Sequence, residues 1–166
     1  PKTEYPFGKQ ISLPNNLGET LGFLLEPLNC SWVPASRFST LPGNGHFKME
    51  IQTHQQAVYF DLYEPGHSAL DQIMESWKKL LRDGLQYAAI DVPIDYPGLA
   101  VLYDRVALEG FFIAGFIPFH LTGKLGFRFQ SLGPTEVSFD KIKVSTTNGK
   151  KLLQIIRQDY ERNRLL

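Results

Sequence analysis

The chain is 166 residues long, enough to bury one full hydrophobic core and too short for two ordinary domains, so a single domain over 1–166 is expected, its first eight residues irregular. Seventeen basic side chains balance 17 acidic ones, so no global field favours nucleic acid or an anionic membrane as a partner. At 43% hydrophobic and 20% charged, wholesale disorder is excluded.

Cys30 is the single cysteine, which excludes an internal disulfide and any paired-cysteine zinc spacing and fits a reducing compartment. No run approaches the roughly 20 apolar residues of a membrane span, and residues 1–20 lack the charged-then-apolar order of a signal peptide. The expected location is cytoplasmic. Because the sequence opens at Pro1 without Met, it is expected to be a piece of a longer protein.

Lys9–Leu13 predicts a short strand. Pro14-Asn15-Asn16 then offers an N-cap to a helix carrying Leu17, Leu21, Leu24, Leu25 and Leu28, which Pro27 should end. Residues 29–45 hold Pro34, Pro42, Gly43 and Gly45 with little periodicity and predict a long loop. Phe47, Met49 and Ile51 alternate with polar residues, as do Val58, Phe60 and Leu62, so the two segments predict a hairpin with one core face on each strand. Ser68-x-x-Asp71 reads as a variant capping box. The helix it opens carries Leu70, Ile73, Met74, Trp77, Leu80 and Leu81, and Gly84 stops it.

Tyr87–Val92 and Phe111–Phe119 are apolar at nearly every position, the pattern of strands covered on both faces. Between them Asp95 and Pro97 start a helix with Leu99, Leu102, Tyr103 and Val106 inward, and Gly110 ends it. That unit makes the two strands parallel if they are direct neighbours. The turn at 121–124 and the alternation of Leu125, Phe127 and Phe129 predict a second hairpin. Val137–Val144 predicts a short edge strand, and Ser145 or Thr146 should cap a last helix with Leu152, Leu153, Ile156 and Tyr160 inward.

This order of antiparallel strands followed by strand, helix, strand, helix, strand, strand resembles the GNAT (N-acetyltransferase) fold. The resemblance is carried by Tyr59–Glu64, Ser68–Gly84, Tyr87–Val92 and Pro97–Gly110 running into Phe111–Pro118. The Glu109–Phe112 block with Ala114-Gly115 and Pro118, the run Asp91-Val92-Pro93-Ile94 and the segment Asp140–Val144 are also similar to the GNAT-like domain that follows anti-sigma-factor-type ATPase domains in some bacterial regulators. The resemblance implies an α/β fold of layered α+β type, a mixed, mostly antiparallel twisted sheet flanked by helices.

Acetyl transfer in that family calls for an Arg/Gln-x-x-Gly-x-Gly/Ala loop, whose glycines let backbone amides and a helix N-terminus close around the CoA pyrophosphate. Here Glu64-Pro65-Gly66-His67-Ser68 stands in its place, with one glycine, a proline that lacks a donor and a carboxylate where positive potential is wanted. The family's tyrosine acid has Val106 at its position, with Tyr103 about one helical turn earlier. The expectation is therefore a degenerate, non-catalytic regulatory domain with no cofactor, binding a small-molecule ligand or a protein partner and not nucleic acid or a membrane. The competing expectation is a divergent acyl-CoA-dependent N-acyltransferase, with acetyl-CoA or another acyl-CoA held around Gly66, His67, Ser68 and Ala69 and Tyr103 as the acid. A third is an interaction protein, a homodimer among its forms, docking through aromatics of residues 29–45 with Tyr59 or Tyr63.

Other residues weigh towards ordinary roles. Tyr103 fits an inward packing tyrosine, and His67 beside Glu64 fits a surface turn. His46, His54 and His120 fall on separate elements without metal-ligand spacing, so no metal is expected. Asp91 and Asp95 lie at a strand end where α/β folds place ligands, although helix capping accounts for Asp95. Cys30 fits a small buried hydrophobe, and Ser36, Ser39 and Ser68 lack a nucleophile setting. Lys141, Lys143, Lys150, Lys151, Arg157, Arg162 and Arg164 make a basic cluster broken by Asp159 and Glu161, the composition of a solvated face.

Overall fold

Ile11 and Leu13 point into the core from strand β1 (Gln10–Leu13) of the computed structural model, which describes residues 10–35, 40–94, 96, 98–117 and 125–164. Helix α1 (Asn15–Leu21) starts without a side-chain cap and buries Leu17 and Leu21. It stops earlier than its leucine spacing predicts. Residues 22–24 and 26–28 tighten into two 3₁₀ turns, because Pro27 cannot extend an α-helix and Asn29 closes the segment in the left-handed region at φ 51°. Within the predicted loop, strand β2 (Ser31–Pro34) pairs parallel with β1. The indole of Trp32 lies over the faces of Gly18 and Gly22, where any Cβ would come within 2.4 Å of it, so β2 is held by a ring contact that no short-range period reveals.

The hairpin forms as predicted from β3 (His46–Gln52) and β4 (Ala57–Glu64), with Met49 opposite Phe60. Its two strands differ in burial. Val58, Phe60 and Leu62 are fully buried, whereas Met49 and Ile51 keep 43% of their surface and only Phe47 packs against the core. The expected core face of β3 is thus largely in solvent, because β3 is the last strand on its side of the sheet.

Helix α2 (His67–Arg82) buries Ala69, Leu70, Ile73, Met74 and Trp77. Its N-cap is Gly66, no side chain caps it, and the capping box does not form. A cap is worth about 1 kcal/mol, while each large buried side chain contributes about 1.5–3 kcal/mol, so burial of this stripe decides the helix. Gly84, at φ 99°, follows its end.

Strand β5 (Tyr87–Pro93) pairs parallel with β4, helix α3 (Leu99–Ala107) crosses over, and β6 (Phe112–Ile117) and β7 (Gly126–Ser131) pair antiparallel. Asp95, Pro97, the 118–124 turn and Lys9 lie outside the described residues. The sheet order is β3-β4-β5-β7-β6. Strand β7 therefore sits between β5 and β6, which run parallel to each other without touching. Three of the four pairings are antiparallel and one is parallel, giving a mixed, mostly antiparallel sheet in a layered α+β arrangement.

Residues 137–144 form no strand. They make a 3₁₀ turn at Phe139–Lys141, with Phe139 packed on Tyr160. Helix α4 (Thr147–Asn163) opens on Thr146, whose Oγ1 accepts from the Gly149 amide at 3.1 Å. One hydrophobic cluster unites α1, β4, α2, β5, α3, β6 and β7 on one face of the sheet, with α2 and α3 on that same face. No described helix is long and apolar enough to cross a membrane.

Candidate functional site

In α/β sheets ligands gather where helices that follow parallel strands point their N-termini at the strand ends, and in this chain that place is the parallel β4–β5 pair. Pairing between the two strands stops at Asp61 and Asp91. Beyond that point β4 continues to Glu64 with β3, and β5 continues to Pro93 with β7. The strands diverge there, and α2 begins at the mouth.

That mouth is filled by the chain itself. The amide of His67 donates to the Pro42 carbonyl at 2.9 Å and that of Ser68 to the Gly43 carbonyl at 3.0 Å. These are among the helix donors that would otherwise face an anion. Gly66 packs so closely on Asn44 that a Cβ would stand 1.9 Å from its carbonyl oxygen, and Gly45 approaches the Glu64 carbonyl in the same way. The glycine in the sequence-predicted cradle admits the chain's own backbone. Tyr96 closes the other side, its hydroxyl donating to the Pro65 carbonyl at 3.2 Å, and burial raises its pKa. Ala69 is fully buried and the His67 side chain is exposed. The imidazole 3.7 Å from the Glu64 carboxylate is that of His46.

Tyr103 lies elsewhere, between α3 and α4. It is 5% exposed, its ring stacks on Phe129 at 5.8 Å, and its hydroxyl donates to Asp159 Oδ1. Asp159 also accepts from the Ile113 amide at 2.7 Å and from Arg162 at 2.5 Å. Burial pushes the Asp159 acid up to about 6, with the Ile113 amide pulling the other way. Arg162 keeps 59% of its side-chain surface, so water screens most of its pull on the acid. These groups line a cleft of about 230 Å³ with Asn16, Thr20 and Gln158. Val106 is fully buried in the core.

No family model, no curated protein and no solved structure matches this chain.

The remaining candidates have ordinary surroundings. Asp91 is 6% exposed and receives Arg128 in a two-pronged pair, both contacts at 2.7 Å, which raises the guanidinium pKa. The two residues are register partners on β5 and β7, and Arg128 also lies over the Tyr59 ring. Cys30 is buried. Among the described residues no cluster of three or more His, Cys, Asp or Glu has metal-holding geometry; His120, Ser36 and Ser39 lie outside them. In the basic cluster Arg157 pairs with Asp140 and Glu161, and Arg164 with Glu136. Trp32, Tyr59 and Tyr63 are each half-buried.

Asp159 and Asn163 are the residues whose roles the sequence reading missed. They follow Leu152 and Ile155 on the inward line of α4, and that periodicity was the available signal. Their polarity hid it.

Proposed function

We propose that this chain is a GNAT-like domain that no longer transfers acyl groups and acts as a regulatory module through binding. The run β4-α2-β5-α3-β6-β7 supports the resemblance, since it is the strand and helix order the family implies. One observation carries the loss of chemistry: the His67 and Ser68 amides at the head of α2 are bonded to Pro42 and Gly43, so a pyrophosphate arriving there meets backbone already paired. The Tyr103 hydroxyl agrees with it, its proton directed to Asp159 and away from any leaving thiolate.

Calorimetric titration with acetyl-CoA and with free CoA tests the reading. No heat of binding at about 1 mM ligand is expected. Micromolar binding together with CoA-dependent acylation of an amine would overturn it.

A further inference from the structure

The two edges of the five-stranded sheet are treated differently. At β6 the open backbone is covered by α4, with Asp159 accepting from the Ile113 amide and Asn163 donating to the Phe111 carbonyl at 2.7 Å. At β3 there is no further strand among the described residues. This edge is seven residues long, and Lys48, Met49, Glu50 and Ile51 are all exposed along it. A long edge with apolar side chains on one face is a template for another strand.

The sequence of β3 says which strand fits. We propose that β3 pairs antiparallel with β3 of a second copy of this chain, centred on Met49, to make one continuous sheet across a two-fold axis. In that register Lys48 faces the other copy's Glu50 on one side of the sheet. On the helix-bearing side Phe47 faces Ile51, and Met49 faces itself. Each 43%-exposed apolar side chain then meets an apolar neighbour, extending the Leu62, Phe60, Val58 stripe of β4 across the axis.

The alternatives are excluded by the same residues. A slip by an odd number of positions puts apolar side chains opposite charged ones. Re-centring by one residue either way sets Lys48 against Lys48 or Glu50 against Glu50. Only the Met49-centred register satisfies both charge and burial. The interface draws on β3 alone, so it stands or falls separately from the loss of acyl transfer.

Light scattering and sedimentation across a concentration series are the test, with circular dichroism to confirm folding of each variant. A mass close to twice the 18.9 kDa of one chain is expected. Lys48→Glu and Glu50→Lys should each weaken association at least about tenfold, and the double exchange should restore it, because the opposite-charge pairs are re-formed with reversed polarity. Met49→Cys should cross-link two chains on mild oxidation, while Gln52→Cys, which faces His46, should not. A monomer up to about 1 mM, or a dimer indifferent to the charge exchanges, would overturn the proposal.

Discussion

Asp159 receives the Ile113 amide at 2.7 Å, which fastens the last helix to the backbone of the outermost strand through a buried acid. Four residues on, Asn163 takes the Phe111 carbonyl, so one helical turn of α4 answers both a donor and an acceptor of the edge. A carboxylate suits the amide and an amide nitrogen suits the carbonyl. Exchanging the two would leave the Phe111 carbonyl facing a carboxylate, although the Ile113 amide could still donate to an asparagine Oδ1.

The burial of Asp159 makes stability depend on pH. Its acid rises from 3.8 to about 6 on folding, so between those values the folded chain keeps a proton that the unfolded chain gives up. The stabilisation is complete below about pH 4 and is lost as pH rises through about 6, at most about 3 kcal/mol in all. Asp159→Asn removes the titration: its Oδ1 still accepts from Ile113, and Tyr103 can turn its hydroxyl to accept from Nδ2. Urea midpoints at pH 4, 5, 6 and 7 should decline for the native chain relative to Asp159→Asn. Parallel curves would show that the acid stays ionised in the fold.

Asn163→Ala should destabilise by about 1–3 kcal/mol, because the Phe111 carbonyl is left buried without its donor. Asn163→Asp should be worse at neutral pH, since a carboxylate would then face a carbonyl oxygen. Thermal unfolding of the two variants reads the order, and equal loss would mean that the side chain only fills space.

Strand β4 and helices α2 and α3 were legible because their buried side chains follow one period, and β5 because an unbroken apolar run marks a strand buried on both faces; of β3 and α4 only the presence and place were legible. Strand β2 was not, since Trp32 packs on Gly18 and Gly22 of a different element and no local alternation announces such a contact. The exposure of Met49 and Ile51 was hidden for a related reason: alternation shows that a strand has two faces, but not that its neighbour is missing. The sequence singled out Gly66 and Tyr103 as candidates, and the fold sets them in two separate places. The sequence could not show that Pro42, Gly43 and Asn44 fold onto the first or that Asp159 holds the second, because both contacts join segments more than 20 residues apart.

Arg128 and Asp91 form the other buried charge arrangement. Asp91 is 6% exposed, while the Arg128 side chain keeps 30% of its surface. Arg128→Met should destabilise by about 2–3 kcal/mol, somewhat less than the 3–5 kcal/mol of a fully buried pair because water reaches the guanidinium. Arg128→Lys should recover only part of this, since an ammonium cannot make both 2.7 Å contacts at once. Denaturant unfolding of the three proteins checks the series, and full recovery by Lys would show that charge alone matters.

Gly66→Ala tests whether the segment over α2 is held by close packing. The new Cβ would stand 1.9 Å from the Asn44 carbonyl oxygen, backbone that cannot swing aside as a side chain would. Residues 42–45 must lift or the strand end must shift, at a loss of about 2 kcal/mol or more. Lifting breaks the bonds from His67 and Ser68, so hydrogen exchange at those two amides should accelerate while Ile73 and Met74, deeper in α2, stay protected. Unchanged exchange at both amides would show that the clash relaxes without moving the segment. The freed amides should still gain no affinity for acetyl-CoA, because Pro65 supplies no donor beside them and the Glu64 carboxylate opposes an incoming phosphate.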